Sequence, residues 1–358
     1  MCGEIKLTVC VVTFNRAGFI GTTLESILHQ VTDECEVLVL DGASTDETEN
    51  VVACLMQRFP SLRYTKLGVN NGIDQDYDKV VGLAKGKYCW LMTDDDFVKD
   101  GAIEAILKAL DLDPSLVIVN CETRDFELTK QLQKRWLEFD HDRVYKPKEQ
   151  DQLLAETGNA LRFIGSVVIQ RQLWLARDRA RYFGTLFVHM GVIFQSPLPG
   201  DTVVIASPYI SYRMGNAHTF SKRMFETFMV KWPSLVWSLP GSAAAKQKVC
   251  SLEPWRNVAE IFLWRGMGFY SLGEYRKWVR PRVTITGSAF APLLAALIPG
   301  FAVNLGMSLY YAISRRPLGA WDAGVVLQLL RESPYRVTRL VVEFCRKRPV
   351  RTAWGVRI

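Results

Sequence analysis

Residues 67–96 read LGVNNGIDQDYDKVVGLAKGKYCWLMTDDD. Within them Tyr77, Val80, Val81 and Ala84 share one face at helical spacing, while Tyr88–Met92 is a continuous apolar run, short enough for a strand buried on both faces. Three carboxylates follow that strand at once. Upstream the same alternation recurs. Leu7–Thr13 (LTVCVVT) predicts a strand, and Ile20, Leu24, Ile27, Leu28 and Val31 recur at helical spacing. Glu36–Leu40 predicts a second strand. Ser44 with Glu47 forms a candidate capping box for a helix with Val51, Val52, Leu55, Met56 and Phe59 on its apolar stripe, and a short strand follows near residues 63–67. Strand–helix alternation of this kind predicts an α/β fold with a mostly parallel sheet between helices. Ligands of such sheets sit beyond the carboxyl ends of the strands, which selects Thr13–Arg16, Asp41–Gly42 and Thr93–Asp96 as one rim.

Downstream, residues 164–169 predict a strand, 186–194 a short buried helix and 203–210 another strand. Beyond Phe220 the chain turns to helices rich in Trp, Arg and Gly, so two regions are expected: residues 1–225, and a helical extension over 226–358. At 358 residues, 49% hydrophobic and 23% charged, the chain can bury a sizeable core, which excludes a disordered or collagenous chain and a small disulfide scaffold. Its net charge of +7 is uneven. From Arg276 onward 14 Lys/Arg face three acids, so one end is suited to an anionic partner. Eight cysteines without paired spacing read as buried free thiols in a reducing compartment. The N-terminus has no basic region followed by a long apolar core, and a cytoplasmic location is expected.

Asp94, Asp95 and Asp96 carry the strongest chemical signal. Adjacent carboxylates raise one another's pKa, a cost that a divalent cation removes, and hard oxygen ligands suit Mg²⁺ or Mn²⁺. A solvated turn ahead of the helix near Gly101 is the structural alternative. Asp41, at the end of the second strand, suits hydrogen bonds from a nucleobase or ribose, or else an N-cap. The backbone N–H groups of residues 13–16 and the Arg16 side chain could face an anion, or Arg16 could be solvated. No G-x-G-x-x-G follows the first strand and no G-x-x-x-x-G-K-[ST] occurs, which counts against dinucleotide dehydrogenases and P-loop nucleotidases.

Together LTVCVVTFNR, EVLVLDGASTDET and LGVNNGIDQDYDKVVGLAKGKYCWLMTDDD resemble glycosyltransferase family 2, with its GT-A nucleotide-diphospho-sugar transferase fold, over roughly residues 6–110. GIDQDYDKVV with GKYCWLMTDDD looks most like the abequosyltransferase-like branch, whose members decorate bacterial surface polysaccharides. The resemblance implies that Thr13, Asn15 and Asp41 hold the nucleotide and that the acidic motif binds a metal on the diphosphate. Thr93 stands where the family's Asp-x-Asp-Asp has its first acid. Asp95 is therefore the preferred direct ligand, with Asp96 beside it and Asp94 on the donor, and Asp74 is a sugar-facing or supporting residue. The family's inverting transfer needs a general base, usually Asp or Glu at a helix start 90–100 residues after the motif. That neighbourhood, residues 182–190, holds no carboxylate. His189 is the candidate base, with a satisfied core histidine as its alternative, and Asp178 is the runner-up. The segment 212–218, with Arg213, reads as a lid on the diphosphate or as a surface turn. QLQKRW (131–136) misses the Q-x-x-R-W spacing of processive synthases, which argues against processive synthesis.

Residues 283–314 hold no charge and are long enough to span a bilayer, but contain Pro292, Pro299, Gly287, Gly300, Gly306 and Asn304. Basic residues flank both ends: Arg276, Lys277, Arg280 and Arg282 before, Arg315 and Arg316 after. Positive flanks on both sides fit a surface-lying or re-entrant hairpin better than a span, with a buried helix pair as the third reading. The further bases from Arg331 to Arg351 favour an anionic lipid surface; no interleaved aromatic platform points to nucleic acid. The expectation is a metal-assisted glycosyltransferase, peripheral on the inner face of the cytoplasmic membrane. It would move one sugar from a nucleotide donor to a glycan hydroxyl, in particular that of a lipid-linked oligosaccharide. The rivals are a nucleotidyltransferase of related fold and a catalytically silent glycan- or lipid-binding module.

Overall fold

The computed structural model describes residues 5–216, 223–283, 290–314 and 323–335. They fall into two compact units. The first comprises residues 1–216 with Ser234–Ser251, the second Ala217–Pro233 with residues 252–358. The first unit thus ends before residue 225 and regains a later helix, Ala243–Val249, which packs on Gln150–Thr157.

The first unit is built on a mixed sheet. Strands β1 (Leu7–Thr13), β2 (Cys35–Asp41), β3 (Leu62–Lys66) and β4 (Tyr88–Met92) run parallel in the order β3-β2-β1-β4. Every residue of β1, β2 and β4 is buried, as continuous apolar runs between two helical layers require. Each such Val or Leu contributes about 1.5–3 kcal/mol of transfer free energy. Helices α1 (Ile20–Leu28), α2 (Thr48–Arg58) and α3 (Ile73–Leu83) make the crossovers. Beyond the dipeptide strand β5 (Phe97–Val98), α4 (Ala102–Leu110) follows Gly101, whose φ is 81°. The capping box expected at Ser44 does not form: α2 starts at Thr48, whose N–H is taken by Asp46, and Ser44 belongs to the rim instead. Gly86, just before β4, is a close approach, since a Cβ there would lie 2.6 Å from the Thr8 nitrogen.

Past β4 the sheet turns mixed. Strand β6 (Leu116–Arg124) carries the short β7 (Gln131–Gln133) on its end, and β8 (Arg143–Tyr145) leads to α5 (Gln150–Thr157). Strand β9 (Val167–Gln170) lies antiparallel between β4 and β6, and the long β10 (Thr202–Arg213) runs parallel to β6. Between them lie α6 (Arg171–Ala176) and α7 (Val188–Phe194), the latter buried throughout. Strand β10 reaches back to pair with β5, so its end stands beside the acidic turn. None of the six described cysteines forms a disulfide; four are buried and Cys54 is exposed.

The second unit has its own core, formed by Phe225, Trp255, Trp264, Tyr270, Val279, Tyr311 and their neighbours. Asn257 caps helix Val258–Gly266 by accepting from Ala259 and Glu260 N–H. Helices Phe290–Leu297 and Gly300–Ser314 meet at 104°, and no single helix among the described residues is long and apolar enough to cross a membrane. Arg315, Arg316 and the basic residues from Arg336 onward lie outside the described residues.

Candidate active site

Three strand ends converge at the carboxyl edge of the sheet. After β1 the chain turns at Asn15 (φ 54°), and after β2 at Ala43 (φ 68°), a left-handed conformation unusual for alanine. The two loops are laced together. Asn15 N–H donates to Ser44 Oγ (2.8 Å), Arg16 N–H to Thr48 Oγ1 (2.9 Å) and Ala17 N–H to Asp46 Oδ2 (3.1 Å), while Asn15 Oδ1 accepts from Thr45 N–H (2.8 Å). Of the backbone N–H groups at residues 13–16 expected to face an anion, those of Asn15 and Arg16 are therefore already taken by the protein's own side chains. Asn15 is a lacing residue, and only the Arg16 guanidinium turns inward, 3.6 Å from Asp94 Oδ1.

Asp41 is fully buried. Its oxygens accept from Ser44 N–H (2.7 Å) and from the Tyr64 hydroxyl (2.6 Å), so in this arrangement it holds the rim rather than facing it. Beside it stands an acid that motif reading passed over, Asp76 of α3. It is 3% exposed, and its Oδ1 is buried with no hydrogen-bond partner. Its Oδ2 comes so close to Gly42 that a Cβ there would lie 2.9 Å away, with Asn70 Nδ2 at 3.7 Å. Burial, opposed by Lys79 and reinforced by Asp41, pushes its carboxyl up to about 6. The sequence does carry a signal for it: Asp76 lies four residues before Val80, on the apolar stripe of α3.

The acidic turn follows β4 and is braced on all sides. Tyr77 hydroxyl donates to Met92 O (3.0 Å) and Thr23 hydroxyl to Asp96 O (2.7 Å). Asp96 Oδ1 accepts Arg213 N–H (2.6 Å) and its Oδ2 the Thr93 hydroxyl, so Asp96 joins the turn to β10. With a donor on each of its oxygens, Asp96 braces the turn against β10. Asp95 Oδ2 accepts from Asn216 Nδ2 (2.7 Å). Thr13, buried at the end of β1, lies beside Asp94. Burial and the Asp95 charge, against Arg16, raise Asp94 to about 7. Burial also raises Asp95 against Arg16, Asn216 and Arg213, and raises Asp96 further with help from Asp95. Buried acids elsewhere in the unit behave in the opposite way. Burial works against Glu36 and Glu122 too, yet Arg63 and Arg124 with other donors hold both below the usual carboxylate range. Uncompensated acids thus concentrate at this rim, as a ligand site requires.

Among the described residues no group of three or more His, Cys, Asp or Glu is arranged around a common point. A cation held by two neighbouring carboxylates would take its other ligands from water and a diphosphate, the usual habit of Mg²⁺.

Arg213, in the expected lid segment, is held on several sides. It ends β10, with its Nε donating to Asp95 O (2.7 Å), its Nη1 to Phe126 O, and its guanidinium 5.4 Å from the centre of the Phe19 ring. Residues 217 and 218 of the expected lid lie outside the described residues. His189 is 1% exposed, with Nε2 2.7 Å from Leu161 O, and burial lowers it to about 4, so it is a core residue rather than a base. Asp178 is exposed and caps a surface turn through Arg181 N–H, near Gln195 at the far end of α7. A carboxylate does stand at the start of α7, and it comes from α3: Asp74 accepts Leu186 N–H (2.8 Å) and Val188 N–H (3.1 Å).

Residues 8–175 match the family model described as Glycosyl transferase family 2. The first unit is a glycosyl transferase family 2 domain. The chain is 25% identical over 206 residues to the abequosyltransferase RfbV of Salmonella typhimurium, covering 53% of this chain and 62% of that protein. It is 29% identical over 147 residues to the GalNAc(5)-diNAcBac-PP-undecaprenol beta-1,3-glucosyltransferase of Campylobacter jejuni, covering 38% and 45%. The chain thus spans less than two thirds of the length of either curated relative. Among solved structures, S. aureus TarS 1–349 in complex with UDP-GlcNAc superposes with a TM-score of 0.52 at 13% identity, covering 95% of this chain and 92% of that one. That likeness shows a shared fold for the family 2 domain's mixed sheet.

Proposed function

We propose that the protein is a glycosyltransferase. It moves one sugar from a nucleoside-diphosphate donor to a hydroxyl of a glycan acceptor, a lipid-linked oligosaccharide of bacterial surface-polysaccharide synthesis, at the inner face of the cytoplasmic membrane. The observation that carries the reading is the set of buried acids with raised pKa, Asp76, Asp94 and Asp95, gathered where β1, β2 and β4 end. The two curated relatives, named as an abequosyltransferase and a glucosyltransferase acting on an undecaprenol-linked glycan, supply the substrate class.

In this reading Asp95, with Asp94, would hold Mg²⁺ or Mn²⁺, and the ion would supply Lewis-acid stabilisation of the departing diphosphate. Arg16 adds a fixed positive charge beside Asp94 and needs no reorganisation to meet an anion. Asp76 and Gly42 line the nucleotide side, where the absence of a side chain on the glycine leaves room for the Asp76 carboxylate. Asp74 is the carboxylate placed for the acceptor. Its α3 anchor and the two N–H groups of the α7 entrance fix its orientation.

The test offers UDP-, GDP-, CDP- and dTDP-sugars with Mg²⁺ or Mn²⁺ and follows nucleoside diphosphate release. Release from one donor, lost on chelation and in Asp95→Ala, is expected. A catalytically silent binding module is the second reading, favoured by the unsuitability of His189 and Asp178 as bases. Nucleotide binding without release, even with a lipid-linked acceptor supplied, would establish it.

A further inference from the structure

The hairpin of the second unit is inside out. Its helices Phe290–Leu297 and Gly300–Ser314 turn mainly small and polar residues inward: Ala295, Ala296, Gly300, Asn304 and Ser308 are buried, with Val303 and Tyr311 the larger side chains among them. Asn304 Nδ2 lies within hydrogen-bonding distance of Gly266 O (2.9 Å), Leu330 O (3.0 Å) and Ser333 Oγ (3.0 Å). Most of the large apolar side chains point the other way. Phe290 is 67% exposed, Leu297 60%, Phe301 54% and Ile313 79%, with Leu294, Leu309 and Tyr310 also exposed. A helix pair whose surroundings are water carries the opposite pattern, with its apolar stripe toward the core. A contiguous exposed set of this kind, free of any charge from residue 283 to 314, marks a surface built for an apolar medium.

Charge identifies the medium. Arg276, Lys277, Arg280 and Arg282 precede the hairpin, all exposed, and none forms an ion pair with a carboxylate among the described residues. They surround Trp278: Lys277 Nζ lies 4.6 Å from its ring centre, and Arg282 Nη1 donates to its carbonyl (2.7 Å). A tryptophan ringed by cations beside an uncharged apolar edge is the composition of a membrane–water interface. Length excludes a span by either arm. Fifteen residues of helix reach only about 22 Å, short of a hydrocarbon core of about 30 Å, and the 104° bend turns the arms away from one axis. We infer that the outward face of the hairpin 290–314 beds into the interfacial layer of an anionic bilayer, with the cations at 276–282 on the headgroups.

This deepens the membrane location proposed above by naming the surface responsible, but it stands on the hairpin alone. The test is flotation of the full chain with phosphatidylcholine vesicles, with and without phosphatidylglycerol, at low and high salt. Leu297→Glu with Phe301→Glu is the variant, and because both side chains are exposed its unfolding curve should match the parent's. Ile313→Glu is the second variant, on the other arm. The expected result is flotation that needs phosphatidylglycerol, persists in part at high salt, and falls about tenfold for each apolar side chain withdrawn. Flotation abolished by salt and indifferent to these substitutions would overturn the inference in favour of basic charge alone. Absence of flotation would overturn it too, as would self-association relieved by the variants, which would assign the face to a second copy. Nucleoside diphosphate release, measured in parallel without vesicles, reports separately on the transfer reading.

Discussion

Asp76→Asn should make the protein more stable and a poorer nucleotide binder. The carboxyl of Asp76 titrates near 3.8 when unfolded and is raised to about 6 by burial and the nearby Asp41 charge, against Lys79. The folded state thus holds this proton more tightly. Below pH 3.8 the group is protonated in both states and contributes no difference. As pH rises from about 4 to about 6 the unfolded chain ionises first, and the folded state accrues a penalty that is fully present above pH 6. The gap between those two values corresponds to a ceiling of about 3 kcal/mol, and water at the open rim reduces it to about 1–2 kcal/mol. Asparagine keeps the shape without the charge. Its variant should unfold with a midpoint a few degrees above the parent's at pH 8 and level with it near pH 4. Chemical unfolding at the two pH values reads the difference directly, and nucleoside diphosphate titration should show about tenfold weaker binding. Equal destabilisation at both pH values would refute the reasoning, because it would mean that Asp76 is a satisfied structural acid.

Asp74→Ala removes the cap of α7 and should cost about 1–2 kcal/mol, whereas Asp74→Asn keeps an accepting oxygen and most of that stability. Sugar transfer should be lost in both, separating orientation from proton acceptance. His189→Leu should retain turnover within about threefold and leave the pH–rate profile unmoved, since burial holds its imidazole neutral down to about pH 4. Mn²⁺ at about a hundred times its dissociation constant should stabilise the parent by about 2.7 kcal/mol in thermal unfolding, and Asp95→Asn should abolish that gain.

The legible part of the fold is the part that local pattern encodes. Strands β1, β2 and β4 are unbroken apolar runs, readable to within a residue, as is the rim they end on, because strand polarity alone fixes which ends face a ligand. Dipeptide and tripeptide strands such as β5, β7 and β8 carry no period, and only their partners make them strands. The site divides the same way. Asp94–Asp96 announce themselves by adjacency, but which of them is free is decided by Arg213 and Asn216, about 120 residues onward. The carboxylate at the entrance of α7 is absent from the local sequence and comes instead from Asp74, 112 residues before Leu186.

Helix α3 shows why spacing alone misassigns such residues. Asp74, Asp76 and Asp78 alternate along the sequence and look like one acidic cluster. At about 100° per residue, Asp74 and Asp78 lie on nearly the same face while Asp76 points almost the opposite way. The first pair grips the segment between β9 and β10. Asp74 takes the α7 entrance, and Asp78 accepts from Trp174 Nε1 (2.9 Å) and pairs with Arg179 (2.7 Å). Asp76 alone turns to Gly42 and the donor rim. In the proposed transfer, one helix would therefore fix the acceptor side with acids whose charge is compensated and present to the donor side one whose charge is not. Neutralising the first kind loosens the fold, whereas neutralising the second tightens it and empties the site of its function, so the sign of the stability change tells the two apart.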